Sequence, residues 1–238
     1  MPRPKKSDEK TDLSNLFEKA QIDRSRAIGD QVYQLMRLFI ILDQLKPGVQ
    51  INEQDIGQWL GVSRTPVREA YQRLMRDGLV ITQPKVGSVV SKIDNDRINE
   101  GIIIRRALER EVVCLICENG ANLDKFSANI ALQQVAISQS DHVEFFKQDE
   151  AFHLMLAELA GIPAAWRLAQ SVKAHIDRAR IRITSHLPDR MDQAFDEHLK
   201  ILKALEQKDA DTASQLISKH IEMIFVDMDK FTSENSAS

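Results

Sequence analysis

The chain has 238 residues, 43% of them hydrophobic and 28% charged, with a formal net charge of −3. That length holds two modest domains, each with its own core. No apolar run reaches membrane-spanning length and no signal-peptide pattern is present, so a soluble cytoplasmic protein with no membrane partner is expected.

Residues 1–20 carry Pro2, Pro4, Lys5 and Lys6 among polar residues and read as a flexible arm. Ile28 to Leu45 shows helical spacing of apolar residues and stops at Lys46-Pro47-Gly48. Residues 52–60 form the first helix of a pair, and Gly61 suits the tight turn that follows. Ser63 stands at the N-cap of the next helix, with Thr65 and Pro66 in its first turn. Val67, Ala70 and Leu74 then face inward, which leaves Arg64, Thr65 and Arg68 at the exposed N-terminal end. Beyond it, 79–83 and 88–91 are β-prone runs around Pro84-Lys85-Val86-Gly87, a hairpin.

A helix pair followed by a hairpin is a winged helix-turn-helix. In that reading Gln54, Ser63, Arg64, Thr65 and Arg68 contact DNA in the major groove or on its backbone. Lys85 and Gly87 contact it from the wing, where glycine lets backbone approach phosphate closely. Charge distribution agrees. Residues 20–92 hold 10 basic against 7 acidic side chains, and residues 93–238 hold 17 against 24. A basic head on an acidic body fits a DNA-binding protein whose larger part does not touch DNA. The order of elements and the run Gly61-Val62-Ser63-Arg64-Thr65-Pro66-Val67-Arg68-Glu69-Ala70 resemble the GntR family of bacterial transcription regulators over about residues 25–92.

The expected layout is an arm at 1–20, a DNA-binding domain at 21–92, a linker at 93–96 and a helical domain at 97–231. The fold class is mainly α, an N-terminal winged helix-turn-helix plus a C-terminal all-α six-helix bundle. The six helices are expected near 96–119, 123–138, 142–160, 164–186, 190–206 and 210–230, with Thr232 to Ser238 frayed. Cys114 and Cys117 make an isolated Cys-x-x-Cys. No second pair completes a zinc ribbon and no strand precedes it, so two small hydrophobes in a core helix are expected.

Polar residues on the inward stripes carry the second signal. Asp149 and His153, at i and i+4, share a face with Phe146, Phe152 and Leu156. His198 and His220 lie on apolar stripes of the last two helices, about eight residues before and ten after their turn, so the imidazoles should sit at one level. A buried carboxylate is costly unless paired or metal-bound. One carboxylate and three imidazoles therefore suit a divalent metal, zinc first and nickel or manganese after it. The alternative is a set of unrelated core histidines, each hydrogen-bonded to a neighbour.

The pattern Asp149-Glu150-Ala151-Phe152-His153, with His198 and His220 on the final hairpin, resembles the FCD effector domain of the FadR branch of GntR regulators over about 96–230. One departure, Ile162 after Gly161 where many members have Asn, lies in a turn away from the ligands. The resemblance implies a metal at the floor of a pocket for a small carboxylate or sugar-acid effector. Arg105 matches its effector-binding arginine; a surface salt bridge is the other reading. The expected function is a ligand-responsive regulator, a repressor in the usual mode of such proteins, that binds palindromic operator DNA as a homodimer and is not an enzyme. The rivals are the same head on a purely structural dimerisation bundle, and a helical metalloenzyme with Glu150 as its base.

Overall fold

The structure, a computed structural model, describes residues 13–120, 122–187 and 189–236, with side chains to residue 229. The chain divides into two compact units, Met1–Ile93 and Asp94–Ser238.

In the N-terminal unit, α1 (13–18) precedes α2 (Ile28–Ile41), α3 (Glu53–Trp59), α4 (Arg64–Arg76), β1 (Val80–Gln83) and β2 (Gly87–Val90). The strands pair antiparallel with Val80 opposite Val90 and Gln83 opposite Gly87. A feature with no sequence signal braces this wing. Residues 48–51 run beside β2, where Gly48 N–H donates to the Val90 carbonyl (2.8 Å) and Ile51 N–H to that of Ser88 (3.0 Å). The helices meet over Val32, Met36, Ile40, Ile56, Val67, Ala70 and Leu74, all buried. Gly61 has φ +61°, the left-handed conformation that the turn between α3 and α4 requires.

The flexible arm expected over 1–20 needs correcting at its C-terminal end. Residues 13–18 are helical and Phe17 is fully buried, edge-on to Phe39 at 5.3 Å and stacked on Trp59 at 5.8 Å. Leu13, Leu16 and Phe17 stand at i, i+3 and i+4, a helical pattern too short to read against the polar residues before it. The rest of that arm, 1–12, lies outside the described residues. Phe17→Ala should lower the stability of this unit by about 3 kcal/mol, measured as an earlier urea transition of the N-terminal unit. An unmoved midpoint would contradict the anchoring role.

The C-terminal unit is helical throughout its described residues: α5 (Asn95–Asn119), α6 (Phe126–Ser138), α7 (His142–Leu159), α8 (Pro163–Val172), α9 (Ala174–Thr184), α10 (Arg190–Glu206) and α11 (Ala210–Ser236). The single helix expected over 164–186 is therefore two. It breaks at Lys173 (φ −95°, ψ 3°), where no proline or glycine marks the site. Lys173 is fully buried, with its Nζ on Glu150 and Asp177. The fraying expected from Thr232 is also absent as far as Ser236, because α11 continues to that residue. Helix α5 passes α8 closely at Gly101, where a Cβ would stand 2.7 Å from the Val172 carbonyl oxygen. Asp141 caps α7 by accepting from the N–H groups of Val143 (3.1 Å) and Glu144 (2.9 Å). Cys114 and Cys117 are free thiols on α5, half-buried and buried. No helix among the described residues is long and apolar enough to cross a membrane.

Candidate functional site

Helix α4 presents an open N-terminus. Ser63 occupies its N-cap with extended backbone, but its side chain makes no cap hydrogen bond, and the first turn holds no acidic residue. The positive end of the helix dipole therefore faces outward uncompensated. Arg64, Thr65 and Arg68 are exposed there, while Val67, Ala70, Tyr71 and Leu74 bury the other face. Gln54 is exposed on α3, its N–H taken by the Asn52 side chain (2.8 Å) that caps the helix. Lys85 and Gly87 form the exposed wing tip with φ +64° and +101°. Gln50 fixes that tip by donating its Nε2–H to the Val86 carbonyl (2.5 Å). Arg24, which the sequence did not single out, donates to the Gly61 carbonyl (3.3 Å) and adds an exposed cation at the turn before α4.

In the C-terminal unit, α7 supplies Asp149 and His153, α10 supplies His198 and α11 supplies His220. All four are buried, and one donor atom from each lies within 4.8 Å of the others. His198 and His220 do sit at one level, with ring centroids 4.7 Å apart. Phe152 stacks on His198 at 4.1 Å and Trp166 on His153 at 5.6 Å, which seals the cluster from water.

Each imidazole has its Nδ1 turned to a supporting side chain that the sequence reading missed. His198 Nδ1 meets Gln133 Oε1 at 2.8 Å, and His220 Nδ1 meets Glu197 Oε2 at 2.6 Å. His153 Nδ1 lies 2.6 Å from Glu109 Oε2, close but poorly aligned for a hydrogen bond. Such partners fix the ring and leave Nε2 to face inward, which is how metal-binding histidines are held. At the centre, the Nε2 atoms of His153 and His198 and the Oδ2 of Asp149 are buried without a hydrogen-bond partner. Unsatisfied buried polar atoms are expensive, and three of them facing one point fit a cation. Glu109, Gln133 and Glu197 lie on helices other than those of the rings they hold, so no sequence spacing announces them.

Electrostatics favour the same chemistry. Burial pushes the Asp149 carboxyl up, but Arg180 (Nη2 to Oδ1, 2.5 Å), His153 and His198 outweigh it and hold it well below the usual carboxylate range. Burial, joined by the charge of His220, drives His198 well below its ordinary value. Burial likewise lowers His153, and it lowers His220 to about 4. The imidazoles are thus neutral at pH 7, with lone pairs to offer. In the unfolded chain they titrate near 6.5. The folded state binds fewer protons than the unfolded one between these values, so stability falls as the pH drops. The chelated chain should lose thermal stability from about pH 6.5 down to about 4, the value at which His220 titrates. A melting temperature flat across that window would contradict the neutral, buried imidazoles.

Arg105 is buried rather than at the surface, paired through Nε with Glu109. It lines a narrow cavity of about 30 Å³ beside His220, together with Arg180, Arg190, Ile176 and Ile224. Arg105 Nη2, Arg180 Nη1 and Arg190 Nη1 are each buried without a hydrogen-bond partner. Each guanidinium is paired with a carboxylate, Arg105 with Glu109, Arg180 with Asp149 and Arg190 with Asp227, which also lines the cavity, yet each keeps one N–H group that could meet an anion's oxygen. The sequence reading named the first of these arginines and missed the other two. Arg178 is buried and Arg182 exposed, and neither lines this cavity.

Comparison with known proteins matches both units to known domains. Residues 28–90 match the model of bacterial regulatory proteins, gntR family, and residues 102–223 match that of the FCD domain. The chain is 30% identical to the HTH-type transcriptional repressor RspR of Escherichia coli over 91% of this chain and 95% of that protein. It is 23% identical to the HTH-type transcriptional repressor NanR of Klebsiella aerogenes, over 89% of each. Its fold resembles that of Escherichia coli McbR/YncC with a TM-score of 0.73 at 20% identity, covering 85% of this chain and 98% of the other. A second likeness is to a putative transcriptional regulator GntR from Rhodococcus, with a TM-score of 0.70 at 26% identity over 82% and 93% of the two chains. The chain therefore belongs to the gntR family of bacterial regulatory proteins, as a DNA-binding transcription regulator with an FCD effector domain and not an enzyme.

Proposed function

We propose that this regulator senses a small carboxylate through a divalent ion, zinc before nickel or manganese, held by Asp149, His153, His198 and His220. The observation that carries the reading is the convergence of buried, unpartnered Nε2 and Oδ2 atoms in that cluster. Once bound, the ion supplies a Lewis-acid anchor for an effector carboxylate. Arg105, Arg180 and Arg190 hold the rest of the anion through N–H groups that make no hydrogen bond within the protein, against the apolar side of the cavity. A purely structural bundle would leave those atoms uncompensated. Glu150, the base that a metalloenzyme would need, is tied to Lys173 at 2.6 Å.

At the other end, Arg64, Thr65, Arg68, Gln54 and Ser63 read the major groove or its backbone, with Lys85 and Gly87 on phosphate. One head covers few base pairs, so a homodimer on a palindromic operator supplies the remaining specificity. Sensing is tested by a thermal-shift screen of sugar acids and small carboxylates on the metal-loaded chain. At least one acid is expected to raise the melting temperature by several degrees, and the rise should vanish after chelation. A panel in which no acid acts, or one that acts equally on the chelated chain, contradicts the reading.

A further inference from the structure

Helix α9 reaches from the metal cluster to the first residue of the C-terminal unit. Near its C-terminal end, Arg180 donates to Asp149 Oδ1 at 2.5 Å. Just before it, Lys173 binds Glu150, the neighbour of Asp149, at 2.6 Å and also pairs with Asp177. Ala174, His175, Ile176, Asp177, Arg178, Ala179, Ile181 and Ile183 are all buried, so the helix is enclosed on nearly every side. Five residues before Arg180, about 7.5 Å along the axis, His175 Nδ1 accepts the backbone N–H of Asp94 at 3.1 Å. Asp94 is the N-cap of α5: its Oδ1 accepts from Asp96 N–H (3.0 Å) and Arg97 N–H (3.3 Å). It follows directly on Ile93, the last residue of the DNA-binding unit.

We propose that His175 is a positioning residue that carries the state of the Asp149 cluster through α9 to Asp94, where the two units join. The proposal rests on the metal reading above. Asp149 is the shared element, because its Oδ1 holds Arg180 while its Oδ2 faces the centre of the cluster without a partner. When Asp149 shares its charge with a cation, its hold on Arg180 weakens. A helix so tightly packed answers as one body rather than by bending. Its opposite end is fastened to the Asp94 N–H by His175, so the α5 cap registers the change.

Hydrogen exchange by mass spectrometry on the full chain, with and without zinc, reads both ends separately. In the wild type, zinc should slow exchange about fivefold or more in a peptide spanning 149–153 and quicken it about as much in one spanning 94–98. In His175→Ala the first response should persist and the second vanish. In His175→Asn, whose Oδ1 replaces Nδ1 as acceptor, the second should return. A 94–98 response that survives in His175→Ala, or fails to return in His175→Asn, overturns the proposal. Zinc protection at 149–153 alone in the wild type overturns it too and leaves the metal reading standing. No zinc response at either peptide in the wild type overturns both.

Discussion

Replacing His198 by alanine is expected to weaken zinc binding more than a hundredfold, measured by competitive titration against a chromophoric chelator. His198 is fully buried, stacked on Phe152 and aimed by Gln133, with its Nε2 3.5 Å from Asp149 Oδ1. Loss of a residue that merely orients a metal ligand costs about 10–100-fold in affinity, so loss of the ligand itself should exceed that. Gln133→Leu therefore belongs in the same experiment, with a loss inside that smaller range. Operator binding in some form should survive in both variants, because the cluster is contained in the C-terminal unit. If His198→Ala holds zinc as tightly as the wild type, the ligand set is wrong.

Arg68→Ala should cost operator binding about 1–3 kcal/mol if the guanidinium meets a base edge, a loss of up to a hundredfold or so in a gel-shift titration. The duplex is one selected by the protein from a random library. Arg68 is exposed on a helix whose inward residues are Val67, Ala70 and Leu74, so the substitution leaves the core intact. Its effect on stability should stay within about 0.5 kcal/mol. A phosphate contact gives a different signature: affinity falls alike for every sequence, and the salt dependence becomes shallower by about one counterion. Undiminished binding to the selected duplex contradicts any role for Arg68 in recognition.

The DNA end was almost wholly legible in the sequence, since its signals are local. Gly61 demands a turn, Ser63 and Pro66 open a helix, and Val67, Ala70 and Leu74 bury one face. The extended stretch 48–51 was not legible, because its pairing with β2 depends on chain nearly forty residues away. The four polar residues of the cluster were visible because each interrupts an apolar stripe. Their supports were not. Glu109, Gln133 and Glu197 read as ordinary polar residues until helices α5, α6 and α10 bring them to His153, His198 and His220. Arg180 and Arg190 were hidden for the same reason. The break at Lys173 was missed because no proline or glycine marks it, and Glu150, one partner of its buried ammonium, comes from another helix.

Arg105 shows how burial changes the meaning of a residue. As a surface arginine it would form an ordinary salt bridge. Buried, it supports Glu109, which is drawn down to about 2 because the charges of Arg105 and His153 outweigh the cost of its burial. Glu109 in turn faces His153, so the proposed effector and metal sites share groups. Ligands that share groups are energetically linked, and the linkage is reciprocal: an acid that tightens the metal is itself held more tightly when the metal is present.

The most direct test of the central claim is elemental analysis of the wild-type chain, purified without added chelator and then treated with one. Asp149, His153, His198 and His220 as a metal centre predict one divalent ion per chain, removed by chelation and restored by zinc with a matching recovery of melting temperature. A chain that carries no stoichiometric metal, and whose melting temperature is indifferent to both treatments, contradicts it.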